Sequence, residues 1–317
     1  MLADTGLILG GFLLLFFGAD RLIHGSVRLS LRLGITPLVI GLTVVAFGTS
    51  TPELFVSLRA NLGGNGDIAL GNIIGSNIFN IAVILGLAGL IHPITIASQL
   101  IRQDIPVMIA ATILFVVVSM GLVIERPEGA VLFALLLVYI AITVRVAKED
   151  CEPELTDEIT HHLPARNGRV AGDIGWIVAG IALLVAGSNL LIEGAVSLAQ
   201  AAGVSEAVIG LTLIAAGTGL PELATSIMAA LKKESDLAVG NIVGSNIFNL
   251  LCIGGVSSLV RPLRFPAIEA IDLYVMLGLA VALLPLCWTR MRIGRRESAL
   301  LLASYGFYLY YIWPTMS

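Results

Sequence analysis

Charge is scarce in this 317-residue chain: Asp, Glu, Lys and Arg together make up 13% of it, against about 25% in a soluble globular domain. That scarcity excludes a soluble globular protein and a charge-rich disordered chain. No strongly basic stretch exists, so nucleic acid is excluded as a partner. Cysteine occurs only as Cys151, Cys252 and Cys287, without metal-ligand spacing, and no disulfide is expected. No nucleotide-binding loop, metal-hydrolase motif or catalytic triad can be assembled, so the sequence reads as a non-enzyme with no resident cofactor. The opening Met1-Leu2-Ala3-Asp4 carries no basic residue before the first apolar run. A secretory leader carries one, so the first run is expected to stay in the mature protein.

Apolar residue is what the chain has in excess, at 57% with a mean hydropathy of +0.97. Ten apolar runs of spanning length fall near 6–27, 36–60, 67–91, 104–124, 128–147, 173–199, 205–231, 236–260, 268–288 and 298–314. Strand-like alternation is absent, so the runs read as helices of an all-α integral membrane protein. Of the 18 Lys and Arg, four (Arg59, Arg126, Arg261, Arg264) fall on one side of this topology and fourteen on the other. The positive-inside rule puts the fourteen in the cytoplasm, with both termini outside an inner (cytoplasmic) membrane. Tyr305, Tyr308, Tyr310, Tyr311 and Trp313 read as an aromatic belt at the outer interface. The acidic stretch 148–172, with His161-His162, reads as a solvated cytoplasmic linker in which the His pair could also hold a regulatory metal.

Shifted by 169 residues, the chain aligns with itself without gaps: residues 39–80 against 208–249 give 25 identities in 42 positions. Val39-Ile40-Gly41-Leu42-Thr43 matches Val208-Ile209-Gly210-Leu211-Thr212, and Gly75-Ser76-Asn77-Ile78-Phe79-Asn80 matches Gly244-Ser245-Asn246-Ile247-Phe248-Asn249. Weaker matches pair Gly18 with Gly187, Gly25 with Gly194 and, one residue slipped, Asp104 with Asp272. Five spans per half is an odd number, so the halves enter the membrane from opposite sides. The domain reading is therefore a first five-helix repeat at 1–147, the linker, and a second, inverted repeat at 173–317. Transporters built this way place their ion sites at the midplane, at the repeat interface.

The best-matched stretches are also the most polar inside the membrane. Gly48-Thr49-Ser50-Thr51-Pro52-Glu53 and Gly217-Thr218-Gly219-Leu220-Pro221-Glu222 each put a Glu in a run otherwise free of charge. A mid-bilayer carboxylate costs roughly 3 kcal/mol, so two at matching positions point to a function that needs them. Pro52 cannot donate to the Gly48 carbonyl, nor Pro221 to that of Gly217, so both helices should break and free oxygen atoms there. The second, third, seventh and eighth helices are accordingly expected to be broken around the site. Carboxylates, hydroxyls and carbonyls form an oxygen-only set suited to hard cations such as Ca²⁺ and Na⁺. Ser76 with Asn80, and Ser245 with Asn249, lie four apart and could complete the shell or bond helix to helix. Gly71/Gly75 and Gly240/Gly244 read as packing positions, and Asn77 and Asn246 as supports for the broken segments. Asp67, Asp104, Asp236 and Asp272 read as interfacial residues outside the site.

These duplicated motifs resemble the two α-repeats of the cation/calcium exchanger superfamily, most closely its prokaryotic sodium/calcium exchanger branch, over the whole chain. The resemblance implies Glu53 and Glu222 as central ligands shared by Ca²⁺ and Na⁺, and Thr49 and Thr218 as calcium-site residues. It implies sodium-site roles for Ser50, Ser76, Ser245 and the Ala46 and Ala215 carbonyls, with Asn80 and Asn249 at the middle. Gly219 stands where the family usually has Ser, and Asn249 where many members have Asp; both departures put the sodium stoichiometry in doubt, and the second argues against potassium dependence. The implied activity is Na⁺/Ca²⁺ antiport by alternating access, as the first and sixth helices slide over the rest. Membrane lipid, Ca²⁺ and Na⁺ are the expected partners, with no obligate protein partner. Two like charges in one site repel, so protons should compete with calcium. The sequence leaves open a Ca²⁺/H⁺ or other cation/H⁺ antiporter of the same fold and, in another class, a non-transporting scaffold or channel.

Overall fold

The computed structural model describes residues 2–149, 170–201, 215–266, 268–288 and 291–312. The linker with its His pair, Cys151 and Trp313 lie outside the described residues. The architecture is almost wholly helical. In order come α1 (Leu2–Leu33), α2 (Pro37–Thr49), α3 (Thr51–Leu62), α4 (Gly66–Ile91), α5 (Leu100–Ser119) and α6 (Arg126–Glu149). Then follow α7 (Val170–Ala201), α8 (Ala215–Thr218), α9 (Leu220–Leu231), α10 (Ser235–Val260), α11 (Ala270–Trp288) and α12 (Arg295–Ile312). Among the described residues seven helices are long and apolar enough to cross a membrane, eight when the bent pair α2–α3 counts as one span.

The exterior is apolar, unlike that of a water-soluble protein. Phe12, Phe16, Val117, Leu137 and Phe307 are exposed, while Ser26, Ser57, Asn77, Asn241 and both Glu53 and Glu222 are buried. Lipid solvates apolar side chains, so large ones can face outward, while polar groups and close-packed glycines sit inside beside an apolar core that includes Leu22, Ile73, Phe115 and Phe265. Cys252 and Cys287 are buried free thiols. Tyr310 and Tyr311 are exposed, whereas Tyr305 stacks edge-on with Phe79 at 5.9 Å.

The longest helices, α1 and α7, pack along a glycine stripe. A Cβ at Gly11 would sit 2.8 Å from the Gly187 carbonyl, one at Gly18 2.8 Å from Leu184 N, and one at Gly25 2.8 Å from the Asp173 carbonyl. Numbers rise along one helix as they fall along the other, so the two run antiparallel. Arg28 and Arg32 both pair with buried Asp173, and Ser197 donates to Asp4 at 2.7 Å, at opposite ends of the stripe.

Contacts recur under the 169-residue offset. Ile94 pairs with Ile293 across one two-residue bridge (β1, Ile94–Thr95, with β4, Arg292–Ile293). Leu263 pairs with Ile124 across the other (β3, Leu263–Arg264, with β2, Val123–Ile124). Gly86 packs on Leu302, and Gly255 on Phe133. In each case the second contact is the first with both partners moved by 169 and the halves exchanged.

One expectation needs correction. The third and eighth spans, α4 and α10, are continuous rather than broken. Each instead carries one π turn, Asn80–Ile84 and Asn249–Ile253. No proline interrupts either helix there, so a single inserted residue widens the turn without severing the ladder.

Candidate functional site

The breaks in the second and seventh spans fall where the prolines dictate. Ser50 (φ −83°, ψ 6°) separates α2 from α3, which bend 45° apart, and Gly219 (φ −80°, ψ 2°) separates α8 from α9. Pro52 and Pro221 each sit in the first turn of the following helix, where a missing N–H costs nothing to that helix. The carbonyl that Pro221 cannot serve, that of Gly217, instead accepts the Ser188 hydroxyl of α7 at 2.6 Å. The Ala46 carbonyl accepts Ser50 N at 3.0 Å and keeps one lone pair. Ala215 opens α8.

The two breaks bring Glu53 and Glu222 together. Ser50, on the first break, donates to Glu222 Oε1 at 2.9 Å, and Thr218, on the second, hydrogen-bonds the Glu53 carboxylate. The carboxylates are close enough to repel each other. Glu53 is 1% and Glu222 2% exposed, so both carboxylates are buried. Among the described residues no ion pair is seen at Glu53 or Glu222, in contrast to Asp20 and Asp173. Two buried negative charges without a cationic partner are costly, which makes a cation their natural complement. Among the described residues no group of three or more His, Cys, Asp and Glu side chains gathers. The donor set is therefore two carboxylates plus neutral oxygens, chemistry that fits Ca²⁺ and Na⁺ and disfavours zinc or copper.

The remaining candidates divide. Thr49, Thr218, Ser50, Asn80, Asn249, Ser245 and Ala46 are all buried; Ser76 is half-buried. Glu53 Oε2, Glu222 Oε2, Ser245 Oγ and both polar atoms of Asn249 have no protein partner despite full burial. Buried polar atoms are seldom left so, and oxygens among them are candidate ligands. The π turns place the asparagines: the turn that begins at Asn80 packs on α9, which carries Glu222, and the turn that begins at Asn249 packs on α3, which carries Glu53. π turns recur at functional sites because they re-aim one side chain.

Asn80 donates to Asn246 Oδ1 at 3.0 Å, and Asn246 in turn reaches Met108 Sδ at 3.7 Å. Asn246 thus orients Asn80 and does not brace a broken segment; Asn77 donates to its own helix at Ile73 O, 2.7 Å away. Gly240 and Gly244 lie against Leu38 and Leu42 of α2, the packing role expected of them, whereas a Cβ at Gly71 would meet only Ile268 at 3.8 Å and one at Gly75 nothing within 4 Å, so Gly71 and Gly75 do not form a packing site. Asp104 is buried to 2% and accepts the Tyr139 hydroxyl at 3.1 Å, because α5 begins at Leu100 and takes Asp104 inside. That corrects its interfacial reading. Asp272 accepts the Tyr308 hydroxyl at 2.8 Å, while Asp67 and Asp236 lie in first helical turns, where an acid suits the dipole.

Sequence reasoning missed Asn72 and Asn241. Thr49 donates to Asn241 Oδ1 at 3.1 Å, Asn241 donates to Ser226 at 3.2 Å, and Asn72 donates to Ser57 at 2.9 Å. Their signal was present, since both asparagines and both serines are duplicated at the 169-residue offset. A cavity of about 260 Å³ lined by Leu42, Phe47, Tyr139 and Phe248 includes neither carboxylate and is apolar.

Residues 4–145 and 173–313 match the family model described as sodium/calcium exchanger protein. The chain is 41% identical over 99% of its length to the putative antiporter CaxA of Alkalimonas amylolytica, covering 100% of that protein. It is 38% identical over 92% of its length to the inner membrane protein YrbG of Escherichia coli K12, covering 90% of it. Among solved structures, the sodium-calcium exchanger NCX_Mj soaked with zero Na⁺ and Ca²⁺ superposes with a TM-score of 0.84 at 31% identity, covering 98% of both chains.

Proposed function

Because the chain belongs to the sodium/calcium exchanger protein family, a family of membrane transporters and not of enzymes, we propose that it exchanges Na⁺ for Ca²⁺ across the cytoplasmic membrane by alternating access. The observation that carries this reading is the pair of buried carboxylates, Glu53 and Glu222, each bonded by a hydroxyl group from the other's break and, among the described residues, neither neutralised by a basic side chain.

The transported ions are substrates here, and the family uses no cofactor. Two carboxylates carry a charge of −2, which one Ca²⁺ neutralises. In this reading Glu53, Glu222, Thr49 and Thr218 hold Ca²⁺, with Asn80 and Asn249 at the middle. Ser50, Ser76, Ser245 and the Ala46 and Ala215 carbonyls form flanking Na⁺ positions. The two occupancies exclude each other because both need the same carboxylates. Protons would compete for the same oxygens.

Ten spans arranged as two inverted five-helix repeats, 1–147 and 173–317, make this site two-sided. The reciprocal bridges and glycine contacts, exchanged by the 169-residue offset, support that plan. So does the antiparallel run of α1 and α7, equivalent helices of the two halves. The excess of Lys and Arg on one set of loops supports termini facing outward. Sliding of the α1–α7 pair over the remaining helices would open the site to each side in turn.

The test is radioactive calcium uptake into sodium-loaded proteoliposomes, with and without an outward sodium gradient, for wild type and Glu53→Gln. Uptake should require the gradient and vanish in the variant. Uptake indifferent to sodium but driven by a proton gradient would replace Na⁺ with H⁺ as the counter-ion. Uptake that needs no gradient would defeat exchange altogether.

A further inference from the structure

The α1–α7 pair meets the core largely through apolar surface, with Ile181 over Gly48 and Ile192 over Gly217. Polar contacts cross that interface as well. Ser188 Oγ of α7 donates to the Gly217 carbonyl at 2.6 Å, and Lys232 Nζ, at the end of α9, donates to Asp20 Oδ1 of α1 at 2.5 Å. Both tie the pair to the broken seventh span, α8–α9.

Neither contact can recur in the other half. At the 169-residue offset Ser188 corresponds to Ala19, Asp20 to Asn189 and Lys232 to Gly63. Ala19 has no hydroxyl for the Gly48 carbonyl, which Pro52 likewise leaves without a helical donor. Asn189 and Gly63 cannot form an ion pair. The α1–α7 interface itself is different: its glycine contacts are reciprocal, Gly11 on Gly187 and Gly180 on Gly18. In an inverted repeat, passing between the two access states exchanges the environments of the halves. A contact with a counterpart holds both states alike, whereas a contact without one holds a single state.

We infer that Ser188 and the Asp20–Lys232 pair form a one-sided latch that positions α1–α7 against α8–α9 and biases the transporter toward the access state seen here. The inference rests on the sliding motion proposed above. The ion pair is partly exposed, at 35% and 30%, and Arg21 lies 3.5 Å from the same Asp20, so its share is modest. Losing it should shift the ratio of the two states about twofold to fivefold. Losing the Ser188 bond, which orphans a buried carbonyl, should shift the ratio by up to about tenfold.

The experiment uses the full chain in vesicles, with Cys151 replaced and spin labels at the exposed positions Val178 on α7 and Ile68 on α4. Electron–electron double resonance then reads the distance distribution. Lys232→Gln, Asp20→Asn and Ser188→Ala should each enlarge the minor distance population. The exchanged pair Asp20→Lys with Lys232→Asp should restore the wild-type ratio, and Ala19→Ser, which supplies the counterpart contact in the other state, should shift the ratio in the same direction as Ser188→Ala. Wild-type distributions in every variant would overturn the latch, as would Ala19→Ser shifting the ratio in the direction opposite to Ser188→Ala. The distances report the latch whether or not calcium moves. Sodium-driven calcium uptake in the same vesicles reports the exchange, so either reading can fail alone.

Discussion

Glu222 receives the Ser50 hydroxyl, but the equivalent position opposite Glu53 is Gly219, which has none to offer. That single difference makes the two carboxylates unequal. Gly219→Ser should restore a ligand and tighten sodium binding by about twofold to tenfold, the worth of one hydrogen-bonding group, as read by sodium inhibition of calcium uptake. Glu53→Gln and Glu222→Gln should each weaken calcium by about a hundredfold, since a charge-assisted contact in a water-poor site is worth roughly 3 kcal/mol. Equal calcium affinity in either variant would remove that carboxylate from the site. The carboxylates and their flanking hydroxyls were legible in the sequence because an acid in an apolar run needs a reason. The orientation of Asn80 by Asn246, and of Thr49 by Asn241, was not legible, because each bond joins residues more than 160 positions apart.

Proline punctuates the second and seventh spans, and the bend at Ser50 lies where the missing N–H puts it. Pro52→Ala should let residue 52 donate to Gly48 and straighten the helix. Thermal stability should hold or rise, while exchange should fall about tenfold, equal to about 1.4 kcal/mol on the barrier. Unchanged exchange would show that the bend is dispensable. Gly18→Val or Gly187→Val should instead cost about 1–3 kcal/mol of stability, seen as a lower melting temperature, because a side chain there meets backbone of the partner helix below 3 Å. The prolines made two breaks readable from the chain. The π turns at Asn80 and Asn249 were not readable: one extra residue in a turn leaves no mark on apolar periodicity. The glycine stripe was visible only as matched positions in the two halves; that Gly11 would meet Gly187 needed the fold.

On the scale of the molecule, the doubled sequence becomes doubled contact. The bridges Ile94–Ile293 and Leu263–Ile124 are one interaction made twice with the halves exchanged. The duplication was legible because 25 of 42 aligned positions are identical, while its proposed inversion rests on an odd count of five spans per half. Sidedness is a different matter, since it depends on contacts such as Ser188–Gly217 that break the symmetry. Acidification should weaken calcium uptake, because a protonated carboxylate no longer contributes its charge to the dication. Uptake that is flat on acidification would show that protons do not reach the pair.

Equilibrium binding of radioactive calcium to the purified full-length chain, titrated with sodium, tests the shared carboxylate pair most directly. One Ca²⁺ should bind per chain, sodium should displace it competitively, and Glu53→Gln or Glu222→Gln should weaken calcium binding by about a hundredfold. Calcium and sodium binding together without mutual displacement, or calcium binding undisturbed by either substitution, would contradict a common site.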